Sequence, residues 1–344
     1  MFKTRNIGNA VCSHAVMFGE SLRGPVRALI VGLLLSVAPY AAQSYAQEWP
    51  QRTVRLILPF GPASAADIIA RVMSDDLTAR WGKPVIVENK PGADGLLAIS
   101  AFLGAKDDHV LLLSSTGSFL AHPYVHKKLD YDFERDLAPI ARIADTLLVV
   151  AVPETLRAGT LAQFVDLARA QPELNLAASP GLTEFAVDAF LKAENLKTVR
   201  VPYKELAAAV RDLSEGRIHF LMTSYAVVRP FVEAGKVKII AAGSRQRSPI
   251  TKDIPSIPES GYPMLAAETS TAVFGGSQMS QVLRKKIADD MISVINVPKI
   301  RDRIASTGQD VVPSGPDELA EVLKRQSRQA ETIAAALGMR KAEN

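Results

Sequence analysis

Two hydrophobic rhythms alternate along this chain. Val54-Arg-Leu-Ile-Leu-Pro59 is a short apolar run, and Ala65 to Leu77 follows it with Ile68, Ile69, Val72, Met73 and Leu77 at helical spacing. Pro84-Val-Ile-Val87 reads as the next strand, Gly95 to Leu103 as the next helix and Val110 to Ser114 as the third strand. This βαβαβ order predicts a mostly parallel sheet flanked by helices. A long β-rich stretch, Leu137 to Val152, interrupts it, and the alternation then resumes. Thr160 and Gln163 have capping-box spacing and open a helix to Ala170. Strands are expected at 175–178, 199–202, 218–222 and 237–242, with helices at 183–194, 206–216 and 227–235 between them. After the Pro-rich loop 248–263 come a strand at 271–275 and helices at 282–294 and 298–307. Ser314 is the expected N-cap of a final helix, with Pro316 and Asp317 in its first turn.

One run belongs to neither rhythm. Ala28 to Ala38 reads ALIVGLLLSVA, Arg23 and Arg27 precede it, and the small-x-small triplet Ser44-Tyr45-Ala46 follows. That order is the anatomy of a secretory leader, and the run falls short of the ~20 apolar residues that span a bilayer. The expectation is export, with cleavage after Ala46; an uncleaved anchor is the competing reading. The n-region is long, and a start at Met17 would give a more ordinary one.

The leader changes how composition is read. Cys12, the only cysteine, lies inside it, so the expected mature chain offers no thiol nucleophile, disulfide or Cys-ligated metal. Lys3, Arg5, Arg23 and Arg27 leave with it against the single acid Glu20, bringing the formal charge of +4 close to neutrality. Nothing then calls for nucleic acid. The 344 residues and 48% apolar content suit a globular protein of two domains.

Candidate chemistry is sparse. His122 and His126 stand at i, i+4, but no general-base Glu or third ligand accompanies them, and Pro123 argues against a regular helix there. No Gly-x-Ser-x-Gly elbow, Walker loop or dinucleotide fingerprint appears. The expectation is no metal, no cofactor and no catalytic residue. Loops Gly61–Asp67 and Lys90–Gly95 are more promising. Each joins a strand's carboxyl end to a helix start, where unpaired N–H groups and the helix dipole favour an anion. Ser64 and Asp67 have capping-box spacing.

Several spaced motifs agree in order with one family. They are Trp49-Pro50 through Val54–Phe60 into Ala65–Arg71; Gly82-Lys-Pro-Val-Ile-Val-Glu88-Asn89-Lys90-Pro91-Gly92-Ala93-Asp94-Gly95; Val201-Pro202-Tyr203-Lys204; and Arg247-Ser248-Pro249 with Asp253 to Gly261. Over residues 49–340 the chain resembles the tripartite tricarboxylate transporter substrate-binding proteins, or Bug receptors. The resemblance implies a two-lobed, type II-like periplasmic binding protein that closes on its ligand, its α/β lobes joined by β-strand hinges. The implied domains are 47–145 with 263–344, and 146–262. It implies a non-enzymatic, monomeric periplasmic receptor for a small organic carboxylate. The partners would be the membrane subunits of a tripartite transporter or a sensor kinase. An exported enzyme on the same scaffold, or a cytosolic effector domain, are the competing readings.

The implied ligand-binding residues are Gly61, Pro62, Ala63, Ser64, Ala65 and Asp67 in the first loop; Gly92, Ala93, Asp94 and Gly95 in the second; Thr116; and, across the cleft, Ser179, Thr183, Tyr203, Thr223 and Ser224. The chain departs from the family pattern at several of them. Ala63-Ser64 stand where adjacent glycines are usual, Ala66 lacks a hydroxyl, and loop 179–183 is about two residues short. Glu184 and Glu205 replace more neutral residues; facing the ligand, they would repel a second carboxylate.

Overall fold

The computed structural model describes residues 49–203, 205–244 and 246–342. The leader and Lys204 lie outside the described residues. The strands are β1 (Val54–Leu58), β2 (Val85–Asn89), β3 (Val110–Ser115), β4 (Leu137–Thr146), β5 (Leu148–Pro153), β6 (Asn175–Ala178), β7 (Val199–Arg200), β8 (Phe220–Ser224), β9 (Val237–Ala242), β10 (Ser270–Gly276) and β11 (Gln309–Ser314). The α-helices are α1 (Ala65–Trp81), α2 (Leu96–Ala105), α3 (Thr116–Val125), α4 (Phe133–Asp136), α5 (Leu161–Ala170), α6 (Leu182–Ala193), α7 (Leu206–Ser214), α8 (Tyr225–Glu233), α9 (Gln281–Ile295), α10 (Pro298–Ala305) and α11 (Pro316–Leu337). Among the described residues no helix is long and apolar enough to cross a membrane.

The strands form two sheets, ordered β11-β4-β10-β3-β1-β2 and β7-β6-β8-β5-β9. Parallel pairing is confined to β1 with β2 and β3, and to β6 with β7 and β8. The rest is antiparallel, so each sheet is mixed rather than mostly parallel. The cause is the long β-rich stretch. β4 leaves the first sheet and, across Leu147 alone, becomes β5 of the second. β10 returns from the second sheet and enters between β3 and β4 against both. These passages join the two lobes.

Each sheet is covered on both faces. Leu56, Leu58, Leu111 and Leu113 pack with Ile69, Met73 and Leu77 of α1 and with α9. Ile57, Val110 and Leu112, pointing the other way, pack with Ile99 and Phe102 of α2 and with Phe119 and Phe274. This alternation is the strand period of two expressed in the core. In the second lobe Val150, Val152 and Phe220 face α5 and α6, while Val149, Ala151 and Leu221 face α7 and α8. Ala330 and Ile333 of α11 join the core of the second lobe, although Leu319 and Leu323 of the same helix pack in the first. The helix therefore bridges the two.

Three expectations fail. α3 forms despite Pro123, which stands in its last turn. Phe119, Leu120, Ala121 and His122 are buried and hold it. Ser314 does not cap α11; it ends β11, a strand absent from the sequence reading, and Gly315 is the N-cap. Thr160 does cap α5, accepting from Gln163 N, but Gln163 returns its side chain to Gly159 N rather than to the cap residue.

Candidate functional site

Loops 61–64 and 90–95 leave the carboxyl ends of the adjacent parallel strands β1 and β2. Ser64 is the N-cap of α1, its Oγ accepting from Asp67 N at 3.2 Å. The carboxylate of Asp67, 3% exposed, accepts from Ala63 N and from Asn89 Nδ2, each at 2.9 Å, and from Arg71 Nε at 3.0 Å. Arg71 holds its pKa below the usual carboxylate range, against the effect of burial, and the Asn89 and Ala63 bonds add to this. Asp67 therefore braces the loop rather than offering a free carboxylate. Among the described residues the N–H groups of Ala65 and Ala66, the first of α1, have no acceptor, as expected at a helix start.

The second loop lies against the first. Gly95 has φ +90°, and a Cβ there would stand 3.1 Å from Pro59 Cβ, so glycine permits both the turn and the approach. Gly92, Ala93, Asp94 and Gly95 all have positive φ, as does Ala63 in the first loop. Aspartate tolerates that region better than most residues, but alanine rarely adopts it, at a cost of ~1–2 kcal/mol per residue. Such strain concentrates at ligand clamps and active sites. Asp94 is held from behind: His122 Nε2 donates to its carbonyl oxygen at 2.9 Å, while His122 Nδ1 accepts from Tyr131 Oη at 2.7 Å. Burial pushes the imidazole pKa down and favours this neutral form. With both ring nitrogens engaged, His122 offers no metal ligand. His126 Nε2 lies 3.6 Å from Asp94 Oδ2. Among the described residues no group of three or more His, Cys, Asp or Glu is placed to hold a metal.

In the second lobe, Ser179 and Thr223 follow each other's register at the ends of β6 and β8, and Ser179 Oγ donates to Thr223 Oγ1 at 2.7 Å. Ser224 caps α8 without a side-chain bond to the helix. Thr183 is buried in the first turn of α6. Gly181, at the start of α6, faces Ala121 of α3 at 4.0 Å from an added Cβ, which brings this loop toward the first lobe.

Two expected ligand residues are engaged elsewhere. Thr116 is fully buried, and its Oγ1 accepts from Ser270 N at 2.9 Å, fastening α3 to the first residue of β10. Tyr203 Oη donates to Asp212 at 2.7 Å; burial and that bond push the phenol pKa up to about 12. Glu184 lies 3.7 Å from Arg200, which also binds Asp188 at 2.8 Å, so it is not a lone negative charge on the cleft wall.

The sequence reading missed Asn89 and His122 as the residues that hold the two loops. A polar residue ending an apolar strand, and a histidine on the buried face of a helix, were the available signals. A cavity of about 510 Å³ at the hinge is lined by none of the expected site residues.

Two mixed α/β lobes joined by strands, with paired anion-favouring loops at the ends of adjacent strands, define a solute-binding receptor. Residues 69–339 match the tripartite tricarboxylate transporter family receptor, and the chain belongs to that family. It is similar to the protein BugT of Bordetella pertussis, 26% identical over 302 residues, covering 84% of this chain and 90% of BugT. A solved periplasmic transporter is 26% identical with a TM-score of 0.71, covering 83% of this chain and 97% of that one. An R. palustris protein with adipate shares the fold at a TM-score of 0.73 and 22% identity, covering 85% and 99%. Receptors of this family are periplasmic and serve transporters.

Proposed function

We propose that this chain takes one small organic carboxylate between its lobes, held by loops 61–67 and 92–95. The observation that carries the reading is the locked pair of loops. Asn89 and Asp67 fix one, His122 and Pro59 fix the other, and free helix N–H groups and left-handed L-residues stand at their tips. Backbone donors set before the ligand arrives bind an anion without needing a cationic side chain. The adipate-bound neighbour supports the ligand class.

A receptor rather than an enzyme is the reading supported by the engagement of Asp67 and His122, the obvious acid–base groups of the site, in hydrogen bonds that brace the loops. Residues 47–145 with 263–344 form one domain and 146–262 the other. A leader ending at Ala46 sends the chain to the periplasm, where as a monomer it hands its ligand to the membrane subunits of a tripartite transporter or reports it to a sensor kinase.

The test is a thermal-shift screen of small acids on the native protein and on Ser64→Leu, whose side chain would fill the first loop. At a hundredfold excess over Kd, binding adds ~2.7 kcal/mol, roughly 5–10 °C for a chain of this size. The native protein shifts and Ser64→Leu does not. Equal shifts in both would place the site elsewhere, and turnover of the bound acid would return the enzyme reading.

A further inference from the structure

The 510 Å³ cavity lies between the lobes. Asp310 of β11 and Arg142 and Asp145 of β4 line one side; Ser244, Arg247 and Ser248, from the segment leaving β9, line the other. β11 and β9 are the edge strands opposite β2 and β7 in their sheets. Ser248 belongs to the second lobe, because Ile250 and Ile254 just beyond it pack with Val149, Val210 and Leu221. Asp310 belongs to the first, paired across β4–β11 with Asp145. Ser248 Oγ donates to Asp310 Oδ1 at 2.7 Å, so a hydrogen bond crosses from lobe to lobe. Ser248 is 2% exposed, and its Oγ also accepts from Ile250 N at 3.1 Å, which fixes the direction of the hydroxyl.

The charges around Asp310 are otherwise paired. Arg142 binds Asp145 and lies 3.8 Å from Glu318 of α11. Ser270 Oγ also donates to Asp145, at 2.6 Å. Arg325 of α11 binds Glu268 at 3.4 Å, and Arg247 binds Glu259 at 3.1 Å. Among the described residues Asp310 has no ion pair; its neighbours are the Ser248 hydroxyl and the like-charged Asp145. Burial raises its pKa, the Ser248 bond opposes that, and Asp145 adds to it.

We propose that Ser248–Asp310 is an interlobe latch, and that Asp310 is a positioning residue whose protonation state sets the balance between open and closed lobes. The lobes turn about the β4–β5 and β9–β10 passages. The cavity lies at one edge of the two sheets and the candidate loops toward the other, so closing the cleft widens the cavity. In the present arrangement the burial of Asp310, which favours its neutral carboxyl, outweighs the Ser248 bond, which favours the ionised one. An ionised carboxyl gains hydration as the cavity widens. Ionisation of Asp310 therefore favours the closed cleft, and by linkage a ligand that closes the cleft releases a proton from it. Only the sign of this coupling rests on the cleft proposed above.

The test needs no ligand. Nitroxide labels on Ile86→Cys in β2 and Val199→Cys in β7, each 49% exposed, report the lobe separation by pulsed electron resonance in the full chain carrying Cys12→Ser. From about pH 4 to about pH 8 the short-distance population should grow at least about threefold, through a range above the ordinary carboxylate pKa. Asp310→Asn should keep the low-pH distribution at every pH while melting no lower than the native chain at neutral pH. A distribution that ignores pH, moves to longer distances, or responds equally in Asp310→Asn overturns the proposal. A failed acid screen with a pH-dependent distance would remove the ligand reading and leave the latch.

Discussion

The side-chain amide of Asn89 donates from one nitrogen to both the carboxylate of Asp67 and the carbonyl of Phe60, each at 2.9 Å. The end of β2 is thereby tied to the loop that leaves β1. Arg71 closes the ring, its Nη2 donating to Asn89 Oδ1 at 3.1 Å. Asn89→Ala removes the tie and leaves a buried carboxylate oxygen without one donor. The expected loss is ~1–3 kcal/mol, or roughly 3–8 °C in melting temperature, with weaker acid binding. Because Arg71 and the other donors depress the Asp67 pKa, the stability it contributes is present above the unfolded value of ~3.9 and is lost as pH falls through the lower folded value. Asp67→Asn should shrink that acid limb in a pH series of thermal melts.

His122 gives a pH dependence in a different window. Burial lowers its folded pKa, so folding favours the neutral ring. The stability it contributes is complete above the unfolded value of ~6.5 and is lost as pH falls from there through the folded value. His122→Phe should remove this component from the melting profile. It should also cost ~2–4 kcal/mol at neutral pH, since Tyr131 Oη and the Asp94 carbonyl each lose a partner. A variant that melts like the native chain across this range would mean that the imidazole does not hold the second loop.

Backbone strain predicts opposite outcomes at two positions. Ala63 has φ +63°. Ala63→Gly relieves the steric cost but loosens the unfolded chain, so its melting point should stay within ~1 kcal/mol of native. Gly95 has φ +90°, and an added Cβ would press on Pro59. Gly95→Ala should cost ~2–4 kcal/mol and abolish acid binding, because the two loops part. Equal melting points for the two variants would contradict the geometry of the second loop.

What was legible in the sequence divides along physical lines. β6 and β9 come out with the expected bounds because a run of Leu and Ala, or of Val and Ile, between turn residues admits few alternatives. β11 was missed because Gln309-Asp-Val-Val-Pro-Ser314 is half polar, and its pairing with β4 is a long-range contact. α3 was dismissed on Pro123, a local signal that four buried residues override. The two anion-favouring loops were legible from strand ends and helix starts. Thr116 and Tyr203 were not, because whether a hydroxyl faces a cleft or a neighbouring carboxylate depends on contacts distant in the chain. Whether Glu184 faces a ligand stays conditional in the sequence for the same reason: Arg200, which offsets its charge at the surface, sits on another element.

The hydroxyl pair Ser179 and Thr223 separates a structural role from a ligand role. Thr223 is fully buried and accepts from Ser179 at 2.7 Å. Ser179 Oγ spends its hydrogen on that bond but keeps its lone pairs and is only half-buried, so a ligand role would fall to Ser179, with the fully buried Thr223 holding its hydroxyl in place. Ser179→Ala and Thr223→Val each break the pair, so their effects on stability should be ~1–2 kcal/mol apiece and markedly non-additive in the double variant. A pair that only fastens β6 to β8 would move stability and leave acid affinity alone. A pair that also meets the ligand would weaken Kd about tenfold in either single variant, equivalent to ~1.4 kcal/mol. Titration calorimetry with an acid from the thermal screen distinguishes the two. The expected result is the tenfold loss in both, because these strand ends stand where a second lobe must meet a ligand held by the first. Unchanged affinity in both would confine the pair to the β6–β8 seam.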